Sequence, residues 1–147
     1  IMTSAKSLGA GIPCGAVLCT NEIASLFGPG DLGTTFGGGP LAAAAIDATL
    51  KAIAAEDLLA NVRQREAEIR ESCITGPITR IQGTGLLLGL VCDGAAVNVR
   101  DALLEQDILT GTSSDPRVIR ILAPLVLESA HVEQLAHALG TIADSGA

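Results

Sequence analysis

Residues 28–39 hold six glycines and almost no side chain able to anchor a core. So long a stretch without regular structure, set inside a compact domain, is either functional or disordered. It therefore divides what the chain can build. Just beyond it, Pro40 suits a first helical turn, and the alanine-rich run from Leu41 to about Ala55 reads as a helix. Leu41, Ala45, Ala48 and Ala52 fall at helical spacing, and Asp47 with Lys51 makes an i,i+4 pair. Before the glycines, Ala16 to Cys19 is a short apolar run that reads as a buried strand. Asn21 is placed to cap a short helix over 22–26, with Glu22 in its first turn.

After the alanine-rich helix a second, charged helix is expected from about Asp57 to Cys73. Leu58, Val62, Ile69 and Cys73 mark its apolar side, and Glu66 pairs with Arg70 on the other. Long and charged, it reads as an exposed connector between two bodies of structure. The periodicity changes at Gly76-Pro77. Ile78 to Gln82 alternates, Gly83-Thr84-Gly85 turns the chain, and Leu86 to Cys92 is a further strand. A short helix over 96–106 has Val97, Val99, Leu103 and Leu104 as its apolar residues. Strands over 108–111 and 118–122 flank a Ser-Ser-Asp-Pro turn. Ser129 is placed to cap a last helix whose apolar face is Val132, Leu135, Ala136, Leu139, Ile142 and Ala143. From residue 74 onward this describes a small α+β unit with helices on an antiparallel or mixed sheet.

Composition bounds the function. The 147 residues are 48% apolar but include only two aromatics, Phe27 and Phe36, so the core is built of Ala, Leu, Ile and Val. A net charge of −7 without any basic cluster argues against nucleic acid or an anionic membrane surface as partner. No apolar run reaches the length of a membrane span. Cys14, Cys19, Cys73 and Cys92 lack metal-ligand spacing, and reduced, mostly buried thiols are expected. His131 and His137, six apart, do not share a helix face, which argues against a metal. Gly83-x-Gly85 lacks the third glycine and the opening helix of a dinucleotide loop. The chain begins at Ile1, almost on its first motif, and an upstream part is expected to be missing.

Three places carry chemistry-bearing residues. Lys6 stands among small residues before a turn with Gly9, Gly11, Pro13 and Gly15. Such a turn holds the lysine at one place and lets a ligand approach the backbone. Shielded from water, the amine would be a Schiff-base-forming nucleophile; left in water, it is an ordinary lysine before a tight turn. Thr34 and Thr35 lie among amides freed by glycine, a setting that suits a phosphate or else a turn held by threonine hydroxyls. Arg120 interrupts an alternating apolar strand, where its planar fork suits a carboxylate, an ion pair or an outward position.

Taken together, these blocks resemble the class III pyridoxal-phosphate aminotransferases. Thr3-Ser-Ala-Lys6-Ser-Leu-Gly-Ala-Gly-Ile-Pro13-Cys-Gly15 is similar to the family's lysine segment. Gly30-Asp-Leu-Gly-Thr34-Thr35-Phe-Gly-Gly-Gly-Pro40 is similar to its Gly-x-His-Gly-Ser-Thr-Phe-Gly-Gly-Asn-Pro block. Val118-Ile-Arg120-Ile-Leu-Ala-Pro-Leu125 is similar to its C-terminal arginine segment. The departures are Leu32 for His, Gly39 for Asn and Gln82 where the family often has Arg. The resemblance implies an α/β fold, the C-terminal part of a fold type I transferase. Residues 1–56 would end the large cofactor domain, 57–73 form a connecting helix, and 74–147 form the small C-terminal α+β domain. It implies pyridoxal phosphate bound covalently at Lys6, with Thr35 and Thr34 at the phosphate. In a homodimer Thr35 would serve the neighbouring active site. It implies that Arg120 binds the carboxylate of an amino-acid or 2-oxo-acid substrate, and that the enzyme is cytoplasmic. The expected reaction moves an amino group between an N-acylated ornithine, or a related ω-amino donor, and 2-oxoglutarate. On the alternative reading, the chain is a non-catalytic fragment or interaction domain that keeps the fold.

Overall fold

The computed structural model describes residues 1–142, and the chain divides into two units, Ile1–Glu56 and Asp57–Ala147. Ala143, expected on the apolar face of the last helix, lies outside the described residues.

In the first unit, β1 (Met2–Ser4) pairs antiparallel with β2 (Ala16–Leu18), with Thr3 opposite Val17. Between them the chain makes a 3-10 turn over Lys6–Gly9 and leaves it through Ala10 at φ 48 and Gly11 at φ 104. The run after the glycine turn is a strand, as expected, but not a buried one. Val17 is 69% exposed, because β1 is its only strand neighbour and no described side chain of the unit covers it. Helix α1 (Asn21–Ala24) is capped by Thr20, one residue before the expected Asn21; the Thr20 hydroxyl accepts from the Ile23 amide at 3.5 Å. Residues 28–39 form no helix or strand. Gly39 then provides the extended N-cap and Pro40 the first turn of α2 (Pro40–Ala55). The Asp47–Lys51 pair forms at 2.6 Å with both side chains well exposed.

The second unit has a core. Helix α3 (Leu58–Ser72) leads into a four-stranded antiparallel sheet ordered β3-β4-β6-β5, with β3 at Ile78–Thr84, β4 at Leu87–Cys92, β5 at Gly111–Thr112 and β6 at Val118–Leu122. Helices α4 (Ala96–Leu104) and α5 (Ser129–Thr141) complete it. Strand periodicity sends Leu88, Leu90, Ile119 and Ile121 to one face, where all four are buried. Ile69 and Cys73 of α3, Val99 and Leu103 of α4, and Leu135 and Leu139 of α5 join the same cluster. Gly76 turns α3 toward the sheet at φ 53, and a Cβ there would come within 2.1 Å of the Leu139 carbonyl oxygen. Positive φ and close approach both require glycine at this position.

Helix α3 differs from expectation. It is built into the second unit, with Ile69 and Arg65 buried, and is no exposed connector. Its Glu66–Arg70 pair forms at 2.8 Å but faces the β3–β4 hairpin instead of solvent. Glu66 accepts from the Gly85 amide at 2.8 Å, and Arg70 donates to the Gly83 carbonyl at 2.7 Å. The Ser129 hydroxyl, expected as a helix cap, bonds Arg65 and Glu68 of α3 instead. The cap of α5 is Glu128, in a box with His131, whose Nδ1 accepts from the Glu128 amide at 3.2 Å. The expected strand at 108–111 is displaced to Gly111–Thr112. Of the apolar residues of α4, Val99 and Leu103 are buried with Ala96, while Val97 and Leu104 are exposed.

All four cysteines are free, but only Cys73 and Cys92 are buried. Burial pushes both thiols above the usual range, helped at Cys92 by the charge of Asp93.

Candidate active site

Lys6 opens the 3-10 turn at φ 60, a left-handed conformation that costs a non-glycine residue about 1 kcal/mol or more. The Leu8 amide bonds the Ala5 carbonyl at 3.2 Å and the Ala10 amide the Ser7 carbonyl at 3.0 Å, so the turn carrying the lysine is held from both sides. Gly9 closes the turn, and a Cβ there would come within 2.7 Å of the Cys14 sulfur. The Lys6 side chain is exposed, and among the described residues it has no ion-pair or hydrogen-bond partner. The shielding from water considered for it is therefore not supplied by this unit.

Thr34 and Thr35 are both exposed on the glycine-rich segment. The Thr34 methyl lies 1.9 Å from where a Cβ at Gly37 would be, so a side chain at 37 would displace it. Neither threonine hydroxyl has a hydrogen-bond partner among the described residues, and Gly38 at φ 67 turns the backbone just after them. An unpaired amine and two unpaired hydroxyls beside turning backbone are the groups that a phosphorylated carbonyl compound requires. These residues fit the anchoring and phosphate ends of pyridoxal phosphate.

Arg120 belongs to the second unit and stands at the middle of β6. Its neighbours Ile119 and Ile121 point into the core, so Arg120 projects from the opposite, open face of the sheet. No ion pair or hydrogen bond holds its guanidinium among the described residues. Of the readings open to it, the structural ion pair is thereby set aside, and the arginine is left available on its surface. Beside it runs a groove of about 430 Å³ lined by Gln82, Thr84, Gly89, Ser113, Val118 and Arg120. Sequence reasoning treated Gln82 only as a departure and passed over Gly89 and Gly111. The signal that could have found them was glycine inside two strands, a common mark of close approach.

Residues 1–143 match the family model described as aminotransferase class-III. Acetylornithine aminotransferase 1 of Bordetella bronchiseptica is 37% identical over 144 residues, covering 95% of this chain and 36% of that protein. The crystal structure of acetylornithine aminotransferase from Elizabethkingia anophelis superposes with a TM-score of 0.84 at 28% identity, covering 94% of this chain and 39% of that one. Ornithine aminotransferase from Toxoplasma gondii, whose structure is described as showing partial occupancy of PLP at the active site, gives 0.82 at 28% identity, with 93% and 34% covered. The fold is thus that of part of an aminotransferase of this kind, and the chain belongs to the class III aminotransferases. It spans little more than a third of the length of the curated relatives it matches.

Proposed function

We propose that the chain is the C-terminal part of a cytoplasmic aminotransferase that moves an amino group between N-acetylornithine, or a related ω-amino donor, and 2-oxoglutarate. The likeness to an acetylornithine aminotransferase along 95% of the chain carries this reading. Residues 1–56 end a large cofactor-binding domain, and 74–147 form the small C-terminal domain into which the preceding helix is packed.

Pyridoxal phosphate would be held covalently by Lys6 and through its phosphate by Thr35 and Thr34, with Thr35 serving the neighbouring site of a homodimer. When bound, this cofactor supplies the electron sink that makes a substrate C–H bond acidic. The chain's own residues supply placement and proton transfer. The Lys6 turn sets the lysine's backbone, and its amine would take the proton from the substrate carbon and pass it on to the bound cofactor. Arg120 holds the substrate carboxylate through its planar fork, which sets the carbon's orientation.

Adding pyridoxal phosphate to the protein, reducing with borohydride and mapping peptides by mass tests the anchor. The label is expected on Lys6. A label confined to Lys51, the only other lysine in the sequence, overturns the assignment.

A further inference from the structure

Arg120 is paired across the sheet with Gly111 of β5, the edge strand in the order β3-β4-β6-β5. A glycine weakens a strand, having no side chain to pack and more backbone freedom to lose. The backbone does not ask for one at this position, since φ at Gly111 is not in the left-handed region, unlike that of Gly83 or Gly85. Packing does not ask for one either. A Cβ at 111 would meet Nε and Nη2 of Arg120, each at 3.3 Å, and then the Arg120 carbonyl oxygen at an ordinary 3.6 Å. Gly89, the partner of Arg120 on the other strand, is different, because a Cβ there would meet Val118 and Gln82 instead.

The two nitrogens decide what the space over Gly111 can hold. Nε and Nη2 form the side edge of a guanidinium, which offers two parallel N–H groups to one carboxylate. The added Cβ would lie nearer to both of them than to the guanidinium carbon between them. It would therefore stand at the mouth of this edge and not over the flat face. A carboxylate taken bidentately stands in the same mouth, with its oxygens about 2.8 Å from the two nitrogens. Ligand and side chain thus compete for one place, which glycine leaves open. The mouth gives onto a hollow of about 290 Å³ lined by Leu109, Thr110, Gly111, Arg120 and Leu122. Arg120 is the only charged residue of that lining, so the hollow favours an anion. Its two leucines, both exposed, suit an aliphatic chain behind the carboxylate.

Building on the role of Arg120 given above, we propose that Gly111 is a positioning residue of the same site, its bare backbone being the seat of the substrate carboxylate. It acts through the guanidinium, by leaving the two-pronged edge of Arg120 open where any side chain would close it. Glycine here gives up strand stability for access. A side chain at 111 should therefore spare or strengthen the fold while weakening the ligand, a combination that a residue serving the fold alone does not produce.

Glutarate, a dicarboxylate without an amine or a keto group, tests this by titration into the 147-residue protein, followed through the backbone amide shifts of β5 and β6. Saturable shifts are expected, and Arg120→Lys should weaken the binding by about tenfold or more. Gly111→Ala should weaken it by about fivefold or more, and Gly111→Val further, through loss of charge-assisted N–H bonds. The melting temperature of Gly111→Ala should equal or exceed the parent's, since the free end of Arg120 is all that must move to admit the methyl. Binding weakened in Arg120→Lys but unchanged in Gly111→Ala and Gly111→Val overturns this inference and leaves Arg120 as the carboxylate site. Affinity and melting temperature that fall together make Gly111 a residue of the fold, and overturn it too. Glutarate that leaves the parent's amides unmoved, or binds Arg120→Lys equally well, overturns the role of Arg120 itself, and this inference with it.

Discussion

Arg120 and Arg65 show how two arginines of one small unit come to opposite uses. Arg65 is 7% exposed and sealed between α3 and α5, where it meets Glu68 at 2.8 Å and the Ser129 hydroxyl. Removing it would leave Glu68 without its cation and Ser129 with only its bond to Glu68. Arg65→Met is therefore expected to cost about 2–3 kcal/mol of stability, read as a lower urea midpoint, the figure tempered by the partial exposure of Glu68. Arg120 is exposed and unpaired among the described residues, so stability does not depend on it. Arg120→Lys keeps the charge and loses the fork. It is expected to leave the melting temperature within about a degree while weakening carboxylate substrates in both half-reactions by about tenfold or more. Unchanged kinetics with both the amino donor and the oxo acid would remove Arg120 from the site.

Among the elements, the β3–β4 hairpin owes its position to α3. Glu66 takes the Gly85 amide of the turn while Arg70 takes the carbonyls of Ile81 and Gly83, so one i,i+4 pair clamps the hairpin along β3. The Arg70 hydrogen bond, followed by the Gly85 amide, holds the Glu66 carboxyl below its ordinary value of 4.5. The sign follows. A carboxyl whose folded value is depressed stabilises the fold fully above its unfolded value, and that contribution fades as pH falls below 4.5 toward the lower folded value. Urea midpoints measured from pH 7 down to pH 3 should therefore fall more steeply for the parent protein than for Glu66→Gln. Parallel curves would show that the clamp adds nothing to stability.

Taken whole, the molecule is uneven. Among the described residues every buried apolar side chain lies at Ile69 or beyond, and in the first unit Gly9 alone is buried. Backbone hydrogen bonds that water can reach open at little cost, while those of a packed sheet open only with the core. Amides of β1 and β2 are expected to exchange at least about a hundredfold faster than those of β4 and β6. Similar protection in the two sheets would contradict the burial seen here. The same exposure bears on chemistry, because Lys6, Thr34 and Thr35 all stand in water. Catalysis by placed charges depends on a dry, preorganised surround. The 147-residue chain by itself is expected to convert cofactor to its amine form with acetylornithine at least about a hundredfold more slowly than a complete enzyme of the family. Absorbance in a single turnover measures this, and a matching rate would show that these residues suffice.

What the sequence determined alone was whatever is local. Pro40 after Gly39 placed the start of α2, the i,i+4 spacing placed Asp47 on Lys51, and the switch to alternation at Ile78 marked the sheet. The three motif blocks likewise pointed to the family without any coordinates. Tertiary structure decided whatever depends on a distant neighbour. Ser129 looked like a helix cap but turned to Arg65 and Glu68, because a buried guanidinium outbids a backbone amide for a nearby hydroxyl. Glu66 and Arg70 looked solvated until the hairpin folded against them. Ala16 to Cys19 reads as a buried strand from hydropathy, but burial needs a second surface, and within the unit none of the described residues provides it. Gly89 and Gly111 are ordinary in the sequence. Only the strand register, which pairs residues far apart in the chain, sets both of them beside Arg120.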